Sequence, residues 1–339
     1  MMKNDYGGQK LDPLGDGISS VEMLPITPSD LQVVNAARVS MDKVHTEFDT
    51  KKDTGLINFL AKHNHWTPFS HSQYLLEREM STERYIVWIT ETANDQFVRA
   101  VISITNSGVG REAVRFYERG SLYAFIRHGV ITEDMRFNNG VSLAAFKIDL
   151  LKTDPHLIKD WTPMLADLDN EWWDKKHLYH GLGWDTDKLQ VAQFRIRMPI
   201  FVSRQWYKHQ IGFTRNEVSR RYVSSPPEFF IPHEWRLRAD NVKQGSSEEI
   251  HEHTDDMAGW IADATYGVQA KYNEMIDVEN ICPEQARSLL PQSMYTEFVE
   301  TACINAYKRL FGLRIEGTAQ LEVKKYAKNV KKLLTNGTT

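Results

Sequence analysis

The stretch RQWYKHQIGFTRNEVSRRYV, residues 204–223, sets Arg204, Lys208, His209, Arg215, Arg220 and Arg221 beside a single acid, Glu217, in a chain whose formal net charge is −4. A solvated helix face mixes both signs, and a nucleic-acid stripe recurs along a chain so that many phosphates are met. This stretch does neither. Its cations are interleaved with Gln205, Asn216, Glu217 and Ser219, which distinguish hydrogen-bond donors from acceptors on a small ligand. The chemistry that suits the set is recognition of one anionic, heterocyclic molecule. Taken alone, the same residues also suit a structural ion-pair helix or loop.

Three other stretches carry residue types capable of chemistry. HNHWTPFSH brings His63, His65 and His71 close in sequence, but zinc needs three or four ligands and a second shell, and the Asp-bearing continuation of a metal-dependent hydrolase is missing. No metal is expected, and His251-Glu252-His253 reads as a solvated acidic loop. GVGREA, residues 108–113, has Gly-x-Gly-x-x-Ala spacing after the apolar Val101 to Ile104. A dinucleotide site also needs a tight strand-to-helix turn and a following parallel strand ending in an acid, and RFYERGSLYAFIRHG reads as helix instead. Cys282 and Cys303, the two cysteines, supply neither a disulfide framework nor a four-thiolate zinc site.

The elements that must position these groups follow from pattern. Residues 1–17 read as a flexible arm, and Val21 to Leu24 as a short strand. Thr27 is the expected cap of a helix with Pro28 in its first turn, carrying AARVS at residues 36–40. A second helix covers Gly55 to His63, ending before Thr67-Pro68. Gln73 to Glu79 and Gln193 to Val202 read as strands, the latter alternating Phe194, Ile196 and Met198 with Arg195 and Arg197. Between them, residues 81–191, with Trp161, Trp172, Trp173 and Trp184, read as a mostly helical insertion. Met257, Ile261, Ala264, Val268, Tyr272 and Met275 keep helical spacing and should pack one face on the core. Pro283 to Leu290 reads as a short helix, and Ala319, Val323, Tyr326, Val330 and Leu333 mark a final amphipathic one. The fold class expected is α+β.

At 339 residues and 41% hydrophobic side chains, the chain can bury a substantial core. The polar, Gly-rich start MMKNDYGGQKLDPLGDG lacks the apolar stretch of a signal peptide, and apolar runs are short, so no membrane span is expected. The location expected by default is cytoplasmic, or the cytoplasm of a host were the source viral. A pI near 6.3 argues against nucleic-acid binding.

RQW…KH…NE.S.RY resembles the signature of the flavin-dependent thymidylate synthases, whose usual form is Arg-His-Arg, seven residues, then Ser. Here it is Lys208-His209-Gln210, eight residues, then Ser219. AARVS at 36–40, FLAKHNHWTPFSH at 59–71, EQARSLLPQSMYT at 284–296 and LR…AQ.E at 313–322 resemble family segments in the same order. The resemblance implies a discontinuous catalytic domain over 18–80 and 192–335. It implies reductive methylation of dUMP to dTMP, with 5,10-methylenetetrahydrofolate as carbon donor, FAD as cofactor and NADPH as reductant, in a homotetramer with active sites between subunits. Carried over by position, the nucleotide meets Gln205, Trp206, Tyr207, Lys208, Glu217, Val218, Ser219, Arg220, Arg221, Arg287 and Arg314. The flavin meets Thr67, Lys208, His209, Gln210, Glu217, Asn305 and Arg309, with Ser40 and His65 nearby. Arg314 is the expected catalytic group, a fixed cation at the N3–C4=O edge of uracil.

Lys208 and Gln210 replace two arginines of the usual triplet, Ser70 stands where an acid is common, and the position of Asn305 is usually basic. The cysteine-dependent thymidylate synthases attack uracil with a thiolate. Neither NICPEQAR nor TACIN has the Pro-Cys-His setting of those enzymes, so no cysteine nucleophile is expected. Two other classes stay open on the residues alone: an NAD(P)- or metal-dependent enzyme acting on an anionic small molecule, and a noncatalytic nucleotide-binding protein.

Overall fold

Segments from both ends of the chain pair into one antiparallel sheet. The computed structural model describes residues 9–26, 29–81, 100–104, 113–123, 191–223, 225–240, 246–316 and 319–336. Strands β1 (Lys10–Leu11) and β2 (Ser20–Leu24) precede helices α1 (Asp30–Arg38) and α2 (Thr50–Lys62). Strands β3 (Gln73–Ser81), β4 (Ala100–Ile104) and β5 (Ala113–Ser121) come next, then β6 (Val191–Pro199), α3 (Ile200–Trp206) and β7 (Phe213–Glu217). The chain closes with α4 (Thr254–Asp277), the one-turn α5 (Pro283–Ala286), β8 (Tyr295–Cys303), α6 (Ile304–Arg314) and α7 (Leu321–Asn336). The main sheet runs β1-β2-β6-β8-β7, and β3-β5-β4 form a second. The fold is a mixture of helix and antiparallel sheet.

Alternation decides which face of the main sheet is dry. Phe194, Ile196 and Met198 of β6 point to the same side as Phe298 and Ala302 of β8, and α3, α6 and α7 close over them with Trp206, Tyr307, Leu310, Val323, Tyr326 and Val330. Val323, Tyr326, Ala327 and Val330 repeat at helical spacing, which is why α7 can lay one stripe on the sheet. Each such side chain contributes about 1.5–3 kcal/mol on burial. The other face carries ion pairs, Arg195 with Glu297 at 3.3 Å and Arg197 with Glu228, and also buries Gln193, Val299 and Thr301.

Several local expectations change. The cap of α1 is Ser29, whose hydroxyl accepts from the Gln32 N–H at 3.3 Å; Thr27 and Pro28 lie outside the described residues. Helix α2 starts at Thr50 rather than Gly55, because the Asp49 carboxylate accepts from the N–H groups of Lys51 and Lys52 at 3.1 and 3.0 Å. The strand expected over Gln193 to Val202 ends at Pro199, which caps α3, so Phe201 and Val202 are helical. Residues 10–17 are not a free arm. Lys10 and Leu11 pair with Glu22 and Val21, Asp12 accepts from the Gly15 and Gly17 N–H groups at 3.0 and 2.8 Å, and the Tyr295 hydroxyl donates to Asp16.

Within residues 81–191, the described parts include strands β4 and β5, so RFYERGS is strand and not helix. β5 takes antiparallel partners on both edges, β3 and β4, which leaves no parallel βαβ unit there for a dinucleotide. Residues 108–112 of GVGREA, and Trp161, Trp172, Trp173 and Trp184, lie outside the described residues. Helix α4 buries fully only Thr265 and Tyr272 along its length, while Trp260 and Tyr266 are 68% and 76% exposed. Among the described residues no helix is long and apolar enough to cross a membrane.

Candidate active site

The loop between α3 and β7 carries the cation-rich stretch, and Gly212 sets its course. Gly212 has φ +84°, and a Cβ there would stand 3.0 Å from the Ala306 Cβ, so glycine lets the loop lie against the first turns of α6. Two contacts then fasten it. Arg309 donates to the Ile211 carbonyl at 2.8 Å, and Arg314 Nε donates to His209 Nε2 at 2.8 Å while its Nη2 reaches the Gln205 carbonyl at 3.2 Å. To accept at Nε2, the imidazole must be neutral with its proton on Nδ1. Burial, and then the charges of Arg314, Arg215 and Arg309, push its pKa down to about 4. Arg314 shows a downward shift from burial, yet a guanidinium stays cationic in water-accessible proteins.

Beneath the loop lies a buried ion pair. Arg215 Nε meets Glu300 Oε2 at 2.5 Å, its Nη1 donates to the His209 carbonyl at 2.6 Å, and Trp206 Nε1 donates to the same Glu300 oxygen at 2.9 Å. Farther along β7, Glu217 accepts from the Thr296 hydroxyl at 2.5 Å. Burial of the Glu217 carboxyl raises its pKa against the pull of the Thr296 hydroxyl and the neighbouring Tyr207 phenol. Burial drives the Tyr207 phenol upward, with the nearby Glu217 charge adding to it. The chain then continues through Val218, whose N–H bonds the Glu297 carbonyl at 2.8 Å, to Ser219, whose N–H bonds the Ser40 carbonyl at 3.1 Å. AARVS and the end of β7 are thereby in contact.

The arginines expected at a phosphate are arranged less uniformly. Arg220 donates to the Ser225 carbonyl. Arg221 pairs with Glu284 at 3.3 Å, and Arg287 Nε donates to the Glu284 main-chain carbonyl at 3.3 Å. Arg221 and Arg287 are exposed. No hydrogen bond or ion pair among the described residues joins the Arg221–Glu284–Arg287 group to the His209–Arg314 group.

Of the residues expected at a flavin, Thr67 stands on the Thr67–Ser70 turn, which packs against α1 and β7. The side chains of Thr67, Lys208, Gln210 and Asn305 make no hydrogen bond to other described residues, and all but Asn305 are exposed. These amide, hydroxyl and ammonium groups, and the Arg309 guanidinium, are of the types that fit the heteroatoms and diphosphate of a flavin dinucleotide. His65 is exposed and, with His63, stacks around Phe59 at centroid distances of 4.3 to 6.3 Å. His71 is apart from both, buried on the sheet. Among the described residues no group of three or more His, Cys, Asp or Glu side chains is arranged around a metal-sized point.

Glu300 lies outside the stretches singled out in the sequence, while Arg215, Asn216 and His71 lie within them but are assigned no contact to nucleotide or flavin by the resemblance. Glu300 carries the one signal that could have found it: Thr296, Phe298, Glu300 and Ala302 share the inward face of β8 by period two, and an inward carboxylate requires a cation. Arg215, opposite it in the β7–β8 register, is that cation.

Residues 180–337 match the family described as thymidylate synthase complementing protein. The chain is 27% identical over 328 residues to the flavin-dependent thymidylate synthase of Aquifex aeolicus (strain VF5), covering 90% of this chain and 94% of that one. A match of that extent runs through much of 81–191. It is 33% identical over 144 residues to the flavin-dependent thymidylate synthase of Thermosipho africanus (strain TCF52B), covering 41% of this chain and 61% of that one. A crystal structure of the UMP/dUMP methylase PolB from Streptomyces cacaoi bound with 5-Br UMP aligns with 94% of this chain and 89% of its own at 16% identity. Its TM-score of 0.43 does not establish a common fold.

Proposed function

We propose that this chain is a flavin-dependent thymidylate synthase, a reading supported by the family match over residues 180–337 and by the 27% identity over 328 residues to the Aquifex aeolicus protein, and that it converts dUMP to dTMP with 5,10-methylenetetrahydrofolate and NADPH. The balance is dUMP, the methylene folate, NADPH and a proton in; dTMP, tetrahydrofolate and NADP⁺ out. Bound FAD, once reduced, supplies the hydride. Thr67, Lys208, His209, Gln210, Glu217, Asn305 and Arg309 would hold it.

The observation that carries the reading is the Arg314–His209 contact, which joins two segments 105 residues apart in sequence. It supports a fixed cation in the family's catalytic position, set beside a neutral imidazole that does not repel it through a full charge. Such a cation stabilises negative charge developing on the uracil N3–C4=O edge without any proton leaving the arginine. Ser219 adds a hydroxyl and Arg220, Arg221 and Arg287 add guanidinium groups for the phosphate. No cysteine nucleophile is part of this reading. A homotetramer is, and the uncovered Trp260 and Tyr266 of α4 supply apolar surface for it.

The test is an anaerobic assay with dUMP, the methylene folate, FAD and NADPH. The expected result is a yellow protein of four-subunit mass by light scattering that forms dTMP, and a Cys282→Ala/Cys303→Ala variant that still does. A protein that binds FAD or dUMP but never forms dTMP would be a binding module, and the reading would fall.

The phosphate part has its own check. The Arg221–Glu284 pair is solvent-exposed, so it contributes only ~0–1 kcal/mol and can yield to a ligand. Arg221→Ala or Arg287→Ala should weaken dUMP binding by about 1.5–3 kcal/mol per lost charged hydrogen bond. Melting temperature should scarcely move. Calorimetry showing unchanged affinity in both variants would return these side chains to surface ion pairing.

A further inference from the structure

The site described above leaves a buried ion pair without a part in binding or chemistry. Arg215 and Glu300 have side chains 13% and 0% exposed, a costly place for two charges. The pair does not sit idle in the core. Arg215 spends one arm of its guanidinium on Glu300 and another on the His209 carbonyl, so the carboxylate is connected through the guanidinium to the loop backbone. Trp206, the last residue of α3, bonds the same carboxylate oxygen, which fixes where the loop leaves the helix. The loop's next contact is His209 Nε2 with Arg314.

We infer that Arg215 and Glu300 are positioning residues whose buried pair holds the His209 loop so that the imidazole receives the Arg314 guanidinium; this rests on Arg314 having the part proposed above. Lys208 and Gln210 flank His209 as exposed side chains making no hydrogen bond to other described residues, so the side-chain hold on this part of the loop comes from Arg215 below it together with Arg309 and Arg314 of α6, and of these Arg215 is the one that bonds the His209 backbone. The charged groups facing the His209 ring are Arg314 and Arg309 from α6 and Arg215 from β7. Removing the Arg215 charge would therefore change the imidazole's titration even without moving it. A charge-conserving variant avoids that confusion.

The experiment compares the full-length protein with Arg215→Lys, in which a single ammonium cannot serve Glu300 and the His209 carbonyl with a fork. Nitrogen-15 resonances of the histidine ring and of the arginine Nε groups are followed through a pH titration, with and without FAD. In the parent, His209 should hold its proton on Nδ1 and titrate at about 4. In Arg215→Lys it should titrate toward ~6.5, and the Arg314 Nε resonance should lose its hydrogen-bond shift. Turnover should fall about 10²-fold, the scale of a displaced catalytic group, with dUMP affinity unchanged. An unmoved titration, or a moved titration with full turnover, would overturn the inference.

Should the lysine variant not fold, Arg215→Met/Glu300→Gln removes both charges and keeps an acceptor for Trp206. It should melt like the parent while the Arg314 Nε shift is lost. A purely structural pair would instead let the double variant keep the Arg314–His209 contact. If the parent forms no dTMP, the catalytic reading fails, and the Arg314 Nε resonance still decides whether the pair holds the loop.

Discussion

Replacing Arg314 with alanine should lower turnover about 10²- to 10³-fold, the loss seen when one preorganised electrostatic group is removed from a developing charge. The geometry explains why this arginine and not its neighbours should cost so much. Arg309 is committed to the Ile211 carbonyl and Arg215 to Glu300. Arg314 is partly buried and held by two acceptors, the His209 ring and the Gln205 carbonyl, so its orientation is fixed before any substrate arrives. Fixed dipoles and charges need no reorganisation during reaction, and partial burial strengthens their field. Arg314→Lys should not restore turnover, since an ammonium cannot keep both acceptors and still face the ring with a planar fork. The measurement is single-turnover dTMP formation at saturating dUMP, alongside dUMP affinity. Loss of affinity with an unchanged rate would make Arg314 a binding group and not the catalytic one.

What could be read from the residues, and what could not, divides along physical lines. Strand β6 was visible because Phe194, Ile196 and Met198 alternate with arginines, and α7 because its apolar residues repeat at helical spacing. Both are half-buried elements whose periodicity is imposed by one dry face. The end of β6 was misplaced because Ile200 and Val202 continue the alternation. Pro199 and the bonds from Ile200 and Phe201 N–H to Met294 and Gln292 carbonyls turn the chain into helix there, and those partners are remote in sequence. Strand β5 was missed for a related reason. Its residues Arg115 to Ser121 have no clear period, and strand identity comes from pairing with β3 on one side and β4 on the other.

The site divides in the same way. Motif residues such as His209 and Arg314 could be named from spacing and resemblance, but their contact depends on Gly212 letting the loop approach α6. Glu300 looks ordinary alone, and Arg215, although part of the cation-rich stretch, shows no partner in sequence. Only the β7–β8 register places them opposite one another and out of water.

His71 shows how a residue from a candidate metal motif can serve stability instead, and it yields the last expected result. Gln193 Nε2 donates to the Thr301 hydroxyl at 2.8 Å, and that hydroxyl lies 2.9 Å from His71 Nδ1. Assigning the hydroxyl proton to Nδ1 leaves the ring proton on Nε2, which faces Asn216 without an aligned bond; Asn216 in turn donates to the Ala36 carbonyl at 2.8 Å. The imidazole is wholly buried and meets no carboxylate among the described residues, and burial pushes its pKa down to about 4.

In the unfolded chain His71 should titrate near ~6.5. Its folded pKa is the lower one, so the unfolded state takes up the proton first as pH falls. The stability is present above ~6.5 and is lost progressively down to the folded value, on the order of 3 kcal/mol between pH 7 and 4. Asp30 acts in the opposite direction, because burial raises its carboxyl to about 6 and the folded state takes up that proton first. The raw stability of the parent therefore mixes the two effects, with His209 adding to His71. A difference isolates the buried ring: unfolding free energy of the parent minus that of His71→Gln, from urea titrations at pH 7, 6, 5 and 4. That difference should shrink by about 3 kcal/mol across the series. A constant difference would mean that His71 is either solvated or already charged in the folded protein, and the relay through Thr301 would have to be redrawn.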